Sequence, residues 1–183
     1  NLFGIVATQL VSATDNATID CWWLQIVPQG KWTAVTLGAS RPPARAWHGS
    51  AWDPSGDRVI IFGGQDDNGL ALSDCWSISV PPSSASTPSD WTPCISASST
   101  MLPPPRYGHS AFWYAKGEAL FVFGGMGQVE SGGSRSVFPL NDIWQLTQYG
   151  TDAAAWSEVE PSTSRPAARA FHASWLLGDF KVV

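Results

Sequence analysis

Charge is scarce in this chain: ten Lys and Arg stand against fifteen Asp and Glu, 14% of 183 residues, for a net charge of −5. No stretch concentrates the basic residues. The dense cationic surface that phosphate neutralisation demands is missing, so nucleic acid is not an expected partner. Long apolar runs are missing too. The longest, such as Val59-Ile60-Ile61-Phe62, fall far below the ~20 residues that span a bilayer, so direct membrane insertion is not expected. Three Cys, three His and three Tyr outline no metal-ligand cluster, and no paired-carboxylate or nucleophile–base arrangement stands out. Neither a cofactor nor catalysis is expected. Asn1 is followed by no basic segment or clear apolar core, as a secretory leader would require. With no Met in front, it reads as lacking the natural N-terminus.

What is present is aromatic and punctuated. Eleven Trp, 17 Gly and 14 Pro are spread through a chain that is 44% hydrophobic, as in globular proteins with many short strands and turns. Three signatures then recur in fixed order. The first is Arg-x-x-His: Arg45-Ala46-Trp47-His48, Arg106-Tyr107-Gly108-His109 and Arg169-Ala170-Phe171-His172. The histidines are 61 and 63 residues apart. The second is an apolar run closed by a glycine pair. Val59–Phe62 leads into Gly63-Gly64 and Leu120–Phe123 into Gly124-Gly125, each pair beginning 15 residues after its histidine. The third is Asp-x-Trp followed by a lone Trp: Asp20, Trp22 and Trp32; Asp74, Trp76 and Trp91; Asp142, Trp144 and Trp156. Self-similarity at a fixed period marks a repeat architecture.

This ordered set resembles the kelch repeat, in the form with Asp-x-Trp on the third strand. The resemblance implies an all-β fold: a kelch-type β-propeller of four-stranded antiparallel blades, of which the chain carries about three. A closed ring has typically about four to eight blades, so the chain reads as part of a larger propeller. The expected units are 1–40 (a partial blade), 41–102, 103–163 and 164–183 (the start of another). The spacing of about 61 residues per unit exceeds the roughly 40–50 of such blades, and the excess is placed in loops. Face-to-face packing buries both sides of an inner strand, which accounts for unbroken apolar runs where a half-exposed strand would alternate. The glycine pairs are expected to end the second strand. Arg45, Arg106, Arg169, His48, His109, His172, Asp74 and Asp142, with Trp76 and Trp144, are expected to be structural. Each Arg should be held by loop carbonyls or by the repeat Asp, because a buried charge needs a partner. Tyr107 is equated with Trp47 and Phe171 as an aromatic packing position.

Cys75 and Cys94 occupy the slots filled by Ile143 and Val159 in the following unit, on adjacent strands. They read as an intra-blade disulfide, or else as two buried thiols acting as small apolar side chains. Cys21 faces Val35. Asn16-Ala17-Thr18 is an N-glycosylation sequon. The Ser/Thr/Pro-rich stretch from Pro81 to Pro105, with Thr87 and Thr92, reads as an exposed loop open to O-glycosylation. Together these features point to an extracellular or cell-surface setting, with the cytoplasm as alternative. Asp66-Asp67 reads as an exposed turn rather than a cation site. The expected function is a non-catalytic module that binds other protein chains, the remainder of its own chain, or glycans, within a larger assembly. Contacts would come from long loops at 65–73 and 126–141, the second made flexible by Gly127, Gly132 and Gly133. The alternatives are the propeller of a carbohydrate-oxidising copper enzyme and an intracellular kelch adaptor.

Overall fold

A computed structural model describes residues 21–25, 30–79, 90–95, 101–161, 163–177 and 180–182. Asn16 and Thr87 lie outside them. The described residues form antiparallel β-structure, with one turn of 3-10 helix at Ala115–Gly117. Two full sheets dominate. The first runs β3 (Gly49–Asp53), β4 (Arg58–Phe62), β5 (Cys75–Ser79) and β6 (Trp91–Pro93) in simple neighbour order. The second has β8 (Ser110–Tyr114), β9 (Ala119–Ser131), β10 (Ser134–Thr147) and β11 (Ala155–Glu158), with the short β7 (Arg106–Tyr107) beside the far part of β9. Hairpins β1 (Trp22–Gln25) with β2 (Lys31–Ala34), and β12 (Trp175–Leu177) with β13 (Phe180–Val182), flank them in sequence. These are kelch-type blades of a β-propeller.

The repeat signatures explain the packing. Ile60, Ile61 and Phe62 of β4 are all buried, as are Leu120, Val122 and Phe123 of β9. Consecutive residues of a strand point to opposite faces, so both faces of each second strand are covered. One core cluster joins the two sheets: Ile60, Phe62, Cys75 and Cys94 of the first meet Trp113, Leu120, Val122, Trp144, Leu146 and Trp156 of the second. Trp156 lies on the outermost strand, yet its ring centroid is 4.9 Å from that of Phe62 in the neighbouring sheet. Burying a large apolar side chain in this way stabilises by roughly 1.5–3 kcal/mol. Trp91 does the equivalent work in the first sheet, where it is buried with Ile61, Ile78 and Cys21.

The two second strands end differently. β4 stops at Phe62, before Gly63-Gly64, as expected, but β9 passes through Gly124-Gly125 and continues to Ser131. Residues 126–141 are therefore not a loop. They are a hairpin in which Met126 pairs with Pro139 and Ser131 with Ser134. Gly132 and Gly133 form its turn with φ of +58° and +78°. Two consecutive positive φ values are what a tight hairpin turn requires, so the glycines order the segment rather than loosen it. The pairing slips once, between Leu140 and Ile143, where Asn141 and Asp142 stand against Gly124 as a β-bulge.

Candidate functional site

The end of the blades where the glycine pairs lie is built by the repeat. In the first sheet the Arg45 guanidinium donates to both Asp74 oxygens, at 2.5 and 2.7 Å, and to the Gly63 carbonyl at 3.0 Å. Trp76 Nε1 donates to the same carboxylate at 2.7 Å. The second sheet repeats this: Arg106 reaches both Asp142 oxygens at 2.7 Å and the Gly124 carbonyl at 3.1 Å, and Trp144 Nε1 donates at 2.8 Å. Asp142 sits in the bulge, which is how β10 aims it at Arg106. Burial works against the charge of Asp74 and Asp142, but the arginine hydrogen bonds and charge outweigh it and hold both below the usual carboxylate range.

The histidines join one blade to the one before. Gly49 N–H donates to His109 Nε2 at 3.1 Å, and His172 Nε2 lies 3.0 Å from Ser110 Oγ. Each ring sits under the preceding glycine pair. A Cβ on Gly63 would be 2.7 Å from the Arg106 carbonyl oxygen, and one on Gly124 would be 2.8 Å from that of Arg169. Glycine and Arg-x-x-His therefore recur together because one blade's histidine segment occupies the space a side chain would take at the glycine pair of the blade before. Burial, reinforced by the Arg45 charge, lowers His48 to about 4, and burial with the Arg106 charge lowers His109 to about 3. Both rings are neutral at physiological pH. Among the described residues no three His, Cys, Asp or Glu side chains gather into a metal-binding group.

Above these joints lies a patch that sequence reasoning misassigned. Trp47, Tyr107 and Phe171 form one cluster, with ring centroids 5.7, 5.9 and 6.1 Å apart. Tyr107 does not stand in the Trp47 and Phe171 slot, however. Counted from the arginine, that slot is Gly108, and the backbone agrees: φ is +55° at Trp47, +63° at Gly108 and +56° at Phe171. Gly108 N–H donates to the Trp47 carbonyl at 2.8 Å and Phe171 N–H to the Gly108 carbonyl at 2.7 Å, so the slot forms a chain from blade to blade. Trp47 and Phe171 are 55% and 62% exposed. A large aromatic on left-handed backbone and in water is doubly unfavourable. The signal was present in the sequence as aromatics two residues after the repeat arginine, and an off-by-one alignment with Tyr107 hid it.

The hairpin tip leans over the preceding blade. Gln128 accepts from Ala71 N–H at 2.5 Å and donates to the Gly69 carbonyl at 3.3 Å. Arg135 reaches the Asn68 and Gly69 carbonyls at 3.3 and 3.0 Å. Val129, Val137 and Phe138 remain exposed along it. The 65–73 segment is a compact turn, in which Asp66 Oδ1 accepts the N–H groups of Asn68 and Leu70 at 3.0 and 2.7 Å. Elsewhere, Cys75 and Cys94 are joined by a disulfide with a Cα–Cα distance of 5.3 Å. Val35 N–H donates to the Cys21 carbonyl at 2.8 Å. Thr92 lies in β6 rather than in a loop, with its hydroxyl 3.2 Å from that of Ser77.

Residues 8–183 match the family described as the KLHDC2/KLHL20/DRC7 Kelch-repeats domain. The chain belongs to the Kelch-repeat family. Kelch repeats serve generally as protein-interaction modules. Two curated relatives come from Oryza sativa subsp. japonica: adagio-like protein 2, 27% identical over 188 residues, and adagio-like protein 1, 30% identical over 152 residues. These alignments cover 100% and 83% of the kelch chain, which spans 26% and 21% of the relatives' own lengths. Among solved structures, a chain of RAG in complex with one melted and one unmelted RSS superposes with a TM-score of 0.63 at 16% identity. That match covers 87% of the kelch chain and 48% of the other, and it supports the fold.

Proposed function

We propose that this kelch segment is a non-catalytic binding platform in a larger, extracellular assembly, and that it meets a partner protein through the glycine-pair end of its blades. The observation that carries this reading is the aromatic cluster at the junction of three repeats, in which Trp47 and Phe171 are exposed and pack on the half-buried Tyr107. Aromatic side chains are the residues most enriched at the centre of protein interfaces. Exposed apolar surface of this kind marks a contact site more often than idle surface. The hairpin beside it adds Val129, Val137 and Phe138. The charged and titratable groups of the repeat are held in ion pairs and inter-blade contacts, which supports a structural rather than a catalytic role for them. The Cys75–Cys94 disulfide supports an oxidising compartment.

Photo-reactive residues placed singly at Phe171, Phe138 and Lys116 test the reading in the full protein in its native setting. Lys116 lies in the turn at the opposite end of the blade. Adduct formation with one polypeptide from the first two positions, and none from Lys116, is the expected result. Equal labelling from all three removes the assignment of the face.

A further inference from the structure

We propose that the aromatic cluster receives a basic, extended peptide segment, with a Lys or Arg head group over the ring faces of Trp47 and Phe171. This rests on the mouth being the contact surface and adds the chemistry of what it contacts. Three observations support it. First, the exposed rings sit where Gly108 shows that a residue without a side chain fits at no conformational cost, so the aromatic faces are kept in spite of the backbone. Trp47 and Phe171 meet nearly at right angles, 88° between planes, and so present a corner rather than a closed stack.

Second, the two buried cations of the repeat cannot serve an acidic ligand. Arg45 and Arg106 are 1% and 0% exposed, and their guanidinium groups are taken by Asp74, Asp142 and the glycine-pair carbonyls. Arg169, half-buried, donates through Nε to the Ala167 carbonyl at 3.0 Å. Third, the chain as a whole is negative, and two carboxylates lie on the segment bridged to the one that leads into Trp47. Ala46 and Gln65, neighbours of Trp47 and Asp66, exchange backbone hydrogen bonds at 2.9 and 2.8 Å. Asp66 and Asp67 follow Gln65 on this antiparallel bridge, in a chain of net charge −5. An exposed aromatic face on a chain of net negative charge attracts a cation through the ring quadrupole and through the overall field. Successive like-facing residues of an extended peptide lie about 6.6 Å apart, so a segment with alternate basic residues offers several cations on one face, any of which can engage the rings.

Four probes test this against the full protein, read by indole fluorescence and by amide shifts of residues 46–48 and 170–172. They are blocked peptides alternating glycine with lysine, with acetyl-lysine or with glutamate, and a soluble glucan oligosaccharide. The lysine peptide is expected to bind, and acetylation to weaken it at least tenfold. Phe171→Gly and Trp47→Gly are each expected to weaken it by a similar factor while leaving the melting temperature unchanged or raised, since glycine suits the positive φ. Failure of the lysine peptide to bind, equal binding of its acetylated form, tighter binding of the glutamate peptide or of the glucan, or indifference to Phe171→Gly overturns the proposal. If cross-links form at Phe171 but the partner's contacting segment is acidic, this inference fails while the reading of the face stands.

Discussion

The two complete blades carry the same frame and finish it differently. In the blade of β3–β6 the third and fourth strands are joined by Cys75–Cys94, and the segment after the glycine pair is a tight turn at 65–73. In the blade of β8–β11 the same slots hold Ile143 and Val159, and the segment after the glycine pair grows into a paired hairpin. The Arg–Asp–Trp constellation is nearly superimposable between them, with corresponding bonds agreeing to within 0.2 Å. What varies is the fastening of the outer strand and the elaboration of the mouth. The frame is thus separable from the surface it carries, and the comparison can be broken experimentally at each level.

The largest effect is expected at the ion pairs. Asp142 is 14% exposed and Asp74 39%, so Arg106→Ala leaves the more deeply buried carboxylate and should cost about 3–5 kcal/mol, with Arg45→Ala costing less. Urea unfolding of both variants checks the order; a larger loss for Arg45 would reverse the ranking by burial. Next comes the outer-strand fastening. Reduction of Cys75–Cys94 should cost roughly 3 kcal/mol on a chain-entropy basis. The double change Cys75→Ile with Cys94→Val, which copies the other blade, should make stability indifferent to reductant, as thermal melts with and without dithiothreitol would show.

Acid comes third. His48 and His109 have folded pKa values lowered to about 4 and about 3 from 6.5, so the unfolded chain binds their protons first. Their contribution is fully present above pH 6.5 and is lost as pH falls from 6.5 towards 3. The slope is up to about 1.4 kcal/mol per pH unit for each histidine. His109→Gln should flatten the stability profile in that window. An unchanged slope would mean that the ring is not neutral in the folded blade. The smallest effect is at the hairpin. Gln128→Ala removes the bonds to Ala71 and Gly69, and should cost about 1 kcal/mol. The Ala71 amide should exchange faster, with no change at Gly49.

The frame was legible because each of its parts is written more than once. Arg-x-x-His, the glycine pair and Asp-x-Trp fix the strand order, and the slot comparison of Cys75 and Cys94 with Ile143 and Val159 located a bridge whose partners are 19 residues apart. The mouth was harder to read for the opposite reason. A hairpin that occurs in one blade and not in the other has no second copy to calibrate it. Gly127, Gly132 and Gly133 read as breakers by composition, although Gly132-Gly133 between two pairable runs is also a turn signal. The aromatic cluster escaped because aromatics stand at Arg+2 in two repeats and at Arg+1 in the third. Only the backbone dihedrals separate those two frames.

The long strand β10 has a mechanical consequence. Its 14 residues make one member roughly 45 Å long, running from the exposed tip to the buried Trp144 and Leu146 of the core. A load applied at the tip travels along this beam with a single interruption, the bulge that carries Asp142. Whatever pulls on the hairpin therefore pulls, through one joint, on the ion pair that holds the blade to its arginine.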